Sequence, residues 1–123
     1  GQFDEPVGLA FASDGTAFVA DMYNSRVVML DVQGNVVGQF KVDGWGGREV
    51  PNKPYLEPLR DGRVAVSLPG SDRVRIYRRD GTVSGEISAE DPVKQPYGML
   101  ETADAKLWVV EGGSGRIRQF EIP

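Results

Sequence analysis

The sequence contains neither cysteine nor histidine, and these two absences exclude much of enzyme chemistry. Without cysteine there is no disulfide framework, no thiol nucleophile and no thiolate zinc site. Histidine is the commonest general base and metal ligand, so its absence excludes Ser-His-Asp and Cys-His catalysis and nearly all zinc chemistry. No apolar run approaches the roughly 20 residues that a membrane-spanning helix needs. Metal binding by this chain would therefore depend on carboxylate, amide and backbone oxygens.

The composition is otherwise that of one ordinary globular domain. The 123 residues are 40% apolar and 26% charged, which is enough apolar material for a core. The formal net charge of −4 gives no general attraction to nucleic acid or to an anionic membrane. The sequence therefore predicts no contact of this segment with either.

Short apolar runs separated by turn residues predict an all-β chain. The first 42 residues indicate strands at about 7–12, 16–21, 26–31 and 36–42, and no window has a convincing 3.6-residue apolar period. The breaks between them are signals such as Asp14-Gly15, which are typical of hairpin turns because glycine and asparagine reach positive φ at low cost.

The same pattern occurs three times. A proline begins each copy, an aspartate follows it at a predicted turn, and an arginine comes 20, 19 and 20 residues after the proline. The successive prolines are 48 and 42 residues apart, and the three sets are Pro6, Asp14 and Arg26; Pro54, Asp61 and Arg73; Pro96, Asp104 and Arg116. A repeat of this length with four strand signals indicates one four-stranded β-propeller blade per repeat.

The first copy, "PVGLAF..DGTAFVADMYNSRVVMLDVQGNVV", resembles the NHL repeat, whose blades build six-bladed β-propellers. The resemblance implies three four-stranded antiparallel blades, the last one incomplete, that make half of a six-bladed ring. Their predicted bounds are about 4–42, 52–88 and 94–123. The later copies depart from the pattern, since Leu56 and Ala105 stand where the repeat has glycine and the third copy has no outer strand.

The resemblance says less about function, because similar propellers include binding modules, RNA readers and enzymes. We expect a non-enzymatic binding or scaffold module that presents a loop face to a protein, peptide or glycan, without a cofactor. Many similar modules belong to bacterial surface or envelope proteins, which favours a bacterial origin and a location outside the cytoplasm.

Two alternatives to the binding module stay open. One is a propeller lyase or lactonase with a calcium ion bound by carboxylate and amide oxygens, for which the nominated ligands are Asp21, Asn24, Asp43, Glu49 and Glu111. The other is RNA recognition by the arginine-rich hairpin "RVRIYRRDG", which carries Arg73, Arg75, Arg78 and Arg79. The acidic residues on the other loops and the net negative charge argue against the second alternative.

Acid–arginine pairs occur at the end of the second strand of two repeats. Asp21 precedes Arg26 by five residues, and Glu111 precedes Arg116 by five. Such a pair is either part of a binding or catalytic site or a structural ion pair that holds the loop and links blades. Its repetition favours the structural role. In the second repeat, Ser67 is the residue we expect in place of the acid, so that Arg73 needs another partner.

The longest connection, residues 42–53, contains the strongest candidates for ligand contact. Trp45, Arg48 and Glu49 lie there among glycines, and Tyr23 and Asn24 lie on the neighbouring loop. A tryptophan on such a loop either anchors a ligand or folds back to cover its own blade. By contrast, the second tryptophan, Trp108, lies in mid-strand and is predicted to belong to the core.

Three blades cannot close a ring, since propellers typically have four to eight. Residues 1–3, "GQF", repeat residues 38–40 of an outer strand, so they are predicted to be the outer strand of another blade. This surplus matches the strand missing from the third blade. We therefore expect a homodimer that closes a six-bladed ring, or further blades in a longer parent chain.

Overall fold

The computed structural model describes residues 3–4, 6–45, 53–68, 71–87, 93 and 95–123. They form three antiparallel sheets in chain order, which we call blades 1, 2 and 3. Blade 1 contains β1 (Pro6–Phe11), β2 (Ala17–Asp21), a 3-10 turn (Met22–Asn24), β3 (Arg26–Leu30) and β4 (Val36–Lys41). Blade 2 contains β5 (Leu56–Pro58), β6 (Val64–Leu68), β7 (Arg73–Tyr77) and β8 (Val83–Ile87). Blade 3 contains β9 (Pro96–Glu101), β10 (Lys106–Glu111) and β11 (Arg116–Glu121).

The all-β fold with three antiparallel blades is confirmed, and so is a third blade with only three described strands. The six-bladed ring stays a prediction. The described part of the chain has no helix with the length and hydropathy of a membrane-spanning segment. The first two residues of the predicted surplus strand, 1 and 2, lie outside the described residues.

Aspartate-glycine turns join the first two strands of blades 1 and 2. Gly15 and Gly62 have φ of +88° and +95°, which residues with a side chain rarely adopt. The Asp14 carboxylate accepts a hydrogen bond from the backbone N–H of Thr16 at 3.0 Å, which closes the turn locally. In blade 3 the same turn has Ala105 at a φ of +62°. The turn of blade 3 therefore adopts, with alanine, a positive φ that glycine adopts at lower cost.

The blades stack face to face and enclose two cores. The first core lies between blades 1 and 2 and contains Phe18, Ala20, Val27, Met29, Phe40, Val42, Trp45, Val64, Val66, Leu68 and Tyr77. The second lies between blades 2 and 3 and contains Leu59, Ala65, Val74, Ile76, Ile87, Val93, Leu107 and Val109. Each core joins alternate residues of two blades, as the pleat of a strand requires.

The two outer faces of this stack carry exposed apolar residues. On blade 1, the face turned away from blade 2 carries Leu9, Phe11 and Val36, which are 62–68% exposed; we call it the leading face. On blade 3, the face turned away from blade 2 is the trailing face, with Leu100, Trp108, Val110 and Ile117. The prediction that Trp108 belongs to the core is wrong. Its ring is 42% exposed, because the described chain has no blade to cover that side of β10.

Candidate functional site

Asp21 lies at the end of β2 and is fully buried. Its Oδ1 accepts a hydrogen bond from the backbone N–H of Asp4 at 2.8 Å. Its Oδ2 accepts from Asn24 Nδ2 at 2.9 Å and from Arg26 Nε at 2.7 Å. The carboxylate thus fastens the residues before β1 and the loop after β2 to the end of its own blade.

The hydrogen bonds of Asp21 determine its charge. Burial raises the pKa of the carboxyl, but the bonds from Asn24, Arg26 and Asp4 outweigh burial and lower the pKa below its ordinary value. Asp21 is therefore an ionised group with both oxygens in use. A general base or a metal ligand must face a substrate or an ion, whereas Asp21 is buried and accepts three hydrogen bonds from its own blade.

Glu111 occupies the same position at the end of β10 and is 1% exposed. It accepts from Arg116 Nη2 at 3.3 Å, from Arg118 Nη1 at 3.2 Å and from Ser114 Oγ at 3.4 Å. Both acid–arginine pairs are thus in contact, and the described contacts of Glu111 are longer than those of Asp21. These described contacts fasten each acid to its own blade.

In blade 2 the equivalent position holds Leu68, and not Ser67 as the sequence suggested. Leu68 lies directly opposite Arg73 in the strand register, as Asp21 lies opposite Arg26. An apolar residue replaces the acid here because this end of β6 packs into the first core. Arg73 instead pairs with Glu86 on β8, with Nη1 at 3.1 Å from Oε1.

Trp45 does not face a ligand. It is 1% exposed, belongs to the first core, and donates its indole N–H to the backbone carbonyl of Ser67 at 3.0 Å. Its interpretation as a ligand anchor is therefore wrong, and the structural interpretation needs a correction too. The ring belongs to the core shared by blades 1 and 2, and its hydrogen bond goes to β6 of blade 2, so it does more than cover its own blade. The other candidates on this loop, Arg48 and Glu49, lie outside the described residues.

Tyr23 and Lys53 form a polar-aromatic pair on the loop face, which is the end of the blades at which β2, β6 and β10 terminate. The Lys53 ammonium lies 6.0 Å from the centroid of the Tyr23 ring, within the range of a cation–π contact. Tyr23 is half-buried and Lys53 is exposed. Asn24 is exposed as well, but its amide already donates to Asp21.

The nominated calcium ligands do not converge in the described part of the chain. No group of three or more acidic residues there has an arrangement that could hold a metal ion. Asp43 is exposed, and its backbone carbonyl accepts a hydrogen bond from Arg75 Nη1 at 2.8 Å. Glu49 lies outside the described residues. Asp21 and Glu111, for their part, are at the ends of different blades.

The four arginines of the β7–β8 hairpin do not form one basic strip. Arg73 and Arg75 both bind Glu86, at 3.1 and 2.9 Å. Arg79 lies at the opposite end of the hairpin, where its guanidinium is 3.0 Å from Asp14 Oδ2 and 5.2 Å from the ring of Phe18. That end of blade 2 borders a cavity of about 420 Å³, which is lined by Asp61, Gly62, Arg63, Arg78 and Arg79.

Sequence reasoning missed one acidic residue, Glu57 on the inner strand β5. Burial raises the pKa of its carboxyl, and the nearby charge of Glu101 on β9 adds to this, although Glu57 Oε2 accepts from the Glu101 backbone N–H at 2.8 Å. In the other two repeats, the position four residues before the turn aspartate holds Ala10 and Leu100. Comparison of the three repeats could have identified Glu57, because it is the acidic residue at a position that is apolar in the other two.

Solved structures of β-propeller proteins superpose on this chain. A virginiamycin B lyase from Staphylococcus aureus does so with a TM-score of 0.63 and 19% sequence identity, over 96% of this chain and 41% of the lyase. A protein of unknown function from Bacteroides caccae gives 0.65 and 14%, over 93% and 45%. BBS1N, solved in complex with ARL6DN, gives 0.60 and 18%, over 96% and 37%. The chain thus spans about two fifths of the length of these similar structures.

These similarities establish the fold: the chain consists of β-propeller blades. At such low identity they carry no activity over to this chain. No protein-family profile matches the sequence, and no curated protein matches it. The NHL type of the blades therefore stays a prediction from the repeat pattern.

Proposed function

We propose that this chain is a non-enzymatic interaction module of a β-propeller. The observation that carries the proposal is the pair of exposed apolar faces at the two ends of the blade stack. Contiguous apolar patches on a folded chain mark surfaces that bind another protein surface, because leaving them in water is unfavourable. Trp108, Leu100 and Ile117 on the trailing face, and Leu9 and Phe11 on the leading face, are 42–68% exposed.

The buried acids support a structural rather than a catalytic role for this segment. Asp21 and Glu111 have their oxygens bonded to groups of their own blades. Exchange of one histidine for alanine inactivates the S. aureus virginiamycin B lyase, and this chain contains no histidine. The chain spans 41% of that lyase and lacks the residue type whose exchange inactivates it, which supports the non-enzymatic proposal.

The loop face is a second surface within the same proposal. Tyr23 and Lys53 offer an aromatic ring and a cation there, which suit a protein, peptide or glycan partner. RNA binding finds less support, since Arg73 and Arg75 are paired with Glu86. We also assign the blades to the NHL type from the repeat pattern, and the module to the bacterial exterior from its resemblance to modules of that type.

Two measurements on the whole chain test the proposal. Light scattering after size exclusion should show a mass above 13.4 kDa that increases with concentration, since the apolar faces associate. Thermal unfolding should have the same midpoint in excess calcium and in chelator, because the nominated ligands do not converge. A monomer whose midpoint rises steeply with calcium would contradict the proposal and favour the calcium-dependent lyase or lactonase alternative.

A further inference from the structure

We propose that the partner of each end face is the opposite end face of a second copy, so that two chains associate head to tail. The trailing face of one copy receives the leading face of the other, and the reverse contact forms at the second junction. This inference rests on the proposed function, in which the end faces bind protein, and it names the partner and the orientation.

Two equivalent glycines, Gly8 in β1 and Gly98 in β9, have different surroundings. Each lies two residues after the proline that begins its strand. Gly8 pairs with Ala20 on β2, and Gly98 pairs with Val110 on β10. A Cβ built on Gly8 would lie 3.6 Å from the carbonyl oxygen of Pro54, at the start of blade 2. A Cβ built on Gly98 would meet nothing within 4 Å. Gly8 thus lies in contact distance of the chain that leads into blade 2, whereas the equivalent side of Gly98 is open.

The side chains around these two glycines occupy equivalent positions in blades 1 and 3. Phe18 and Ala20 of β2 correspond to Trp108 and Val110 of β10, counting back from the buried acids Asp21 and Glu111. The first two are fully buried against blade 2, whereas Trp108 and Val110 are 42% and 43% exposed. Around them lies a cavity of about 310 Å³, which is lined by Gly98, Met99, Leu100, Trp108 and Val110. The trailing face of blade 3 therefore corresponds to the surface with which blade 1 contacts blade 2, but no described blade covers it.

The leading face supplies the matching half. In blade 2 the surface that packs on blade 1 contains Val64, Val66 and, at its margin, Leu56. The equivalent residues of blade 1 are Ala17, Val19 and Leu9, because Leu9 pairs with Val19 as Leu56 pairs with Val66. Leu56 thus corresponds to Leu9, and not to a glycine of the repeat as the sequence suggested. Ala17 and Val19 are only 5% and 8% exposed, so the accessible part of the leading face is the inner strand β1. Leu9 and Phe11 are 63% and 68% exposed there. Each chain therefore has, on its two end faces, equivalents of the two surfaces that meet between blades 1 and 2.

Geometry favours two copies. A contact between unlike faces is heterologous, and it must close into a ring to avoid an open filament. Two copies supply six described blades, within the four to eight that propellers use, and satisfy all four end faces. A contact of like faces, trailing on trailing, would place two inner strands against each other and leave both leading faces in water.

Two charge variants, one on each face, test the inference. Trp108→Glu alters only the trailing face, and Leu9→Glu alters only the leading face. In a head-to-tail dimer either variant damages both junctions, so each should weaken dimerisation by at least ~100-fold, since an apolar contact then buries an unpaired carboxylate. An equal mixture of the two variants should recover a dimer, because one junction then joins two unaltered faces. Val83→Glu, an exposed apolar residue of β8 away from both faces, is the matched control and should leave the mass unchanged.

The outcomes separate the alternatives. Circular dichroism first establishes that each variant is folded. Association that is lost in Trp108→Glu, kept in Leu9→Glu and not recovered by mixing would mean trailing-on-trailing contact and would overturn the head-to-tail inference, but not the proposed function. A wild-type chain that stays monomeric at every concentration would overturn the inference as well; the proposed function then fails only if calcium also stabilises that monomer.

Discussion

The two tryptophans lie in opposite environments that local sequence would not suggest. Trp45 is on a glycine-rich connection and is 1% exposed, whereas Trp108 is in the middle of a strand and is 42% exposed. Trp45 reaches the next blade and donates to the Ser67 carbonyl there. Trp108 belongs to the side of blade 3 that no described blade covers. In a repeat fold, burial is thus decided by the neighbouring blade rather than by the local pattern.

Blade 1 and blade 3 differ in the same way at other positions. Both end their second strand in a buried acid, yet the contacts of Asp21 are 2.7–2.9 Å and those of Glu111 are 3.2–3.4 Å. Both have an aspartate turn, yet only blade 1 has glycine at the positive φ. From these described differences we expect blade 3 to contribute less stability, and each difference can be tested by substitution.

The largest effect is expected at Trp45. Trp45→Ala should lower the free energy of unfolding by about 3–5 kcal/mol, because it empties part of a packed core and removes the bond to Ser67. Trp108→Ala, measured at a concentration at which the chain is monomeric, should cost less than about 1 kcal/mol. Urea unfolding followed by circular dichroism measures both values. Equal losses would show that the trailing face is covered within the chain itself.

The acids at the strand ends are expected to come next. Asp21→Asn should cost about 1.5–3 kcal/mol, because it removes the charge that Arg26 and Asn24 bind in a buried site. Glu111→Gln should cost less, since its contacts are longer. Unfolding in urea at neutral pH gives the comparison. If Glu111→Gln proved the more damaging, blade 3 would be the better anchored of the two.

The sequence predicted what local interactions decide. The strands of blade 1 were expected at 7–12, 16–21, 26–31 and 36–42, and they lie within one residue of those bounds, because turn residues and apolar runs act over a few positions. The propeller architecture followed from the repetition of that pattern.

Contacts between blades could not be predicted in this way. Nothing near Trp45 in the sequence points to the Ser67 carbonyl 22 residues away. The equivalence of Leu68 with Asp21 was missed because a buried polar residue was expected there, whereas the first core demands an apolar one. Glu57 was missed because its environment depends on Glu101 of the next blade.

The turn of blade 3 should be improved by glycine. Ala105 is exposed and has a φ of +62°, a conformation that costs a residue with a Cβ roughly 1 kcal/mol. Ala105→Gly should therefore raise the free energy of unfolding by about that amount. Gly62→Ala is the reverse control, because Gly62 has a φ of +95° and open space around its Cβ position, so only backbone strain is added. If Ala105→Gly destabilised the protein, the entropy that glycine adds to the unfolded chain would outweigh the backbone strain that it relieves.

The smallest effect is expected at the exposed ion pair between blades 1 and 2. The backbone N–H of Thr16 and the guanidinium of Arg79 lower the pKa of Asp14 to about 2. A carboxyl whose pKa is lowered by folding stabilises the protein above its unfolded pKa of 3.8, and this stabilisation is lost as the pH falls towards 2. Asp14→Asn should thus lower the stability at pH 5–7 and leave it nearly unchanged at pH 2.

The measurement is chemical unfolding of both proteins across that pH range, at low and at high salt. Salt should reduce the difference at neutral pH, because Asp14 is exposed and Arg79 partly so, which lets salt screen the pair. The stability difference that remains at high salt reports the hydrogen bond to Thr16, which lies within the turn of blade 1. The stability difference that salt removes reports the ion pair with Arg79, which joins blades 1 and 2. A difference that persisted at pH 2 would mean that the Asp14 side chain stabilises this end of the interface through packing rather than charge.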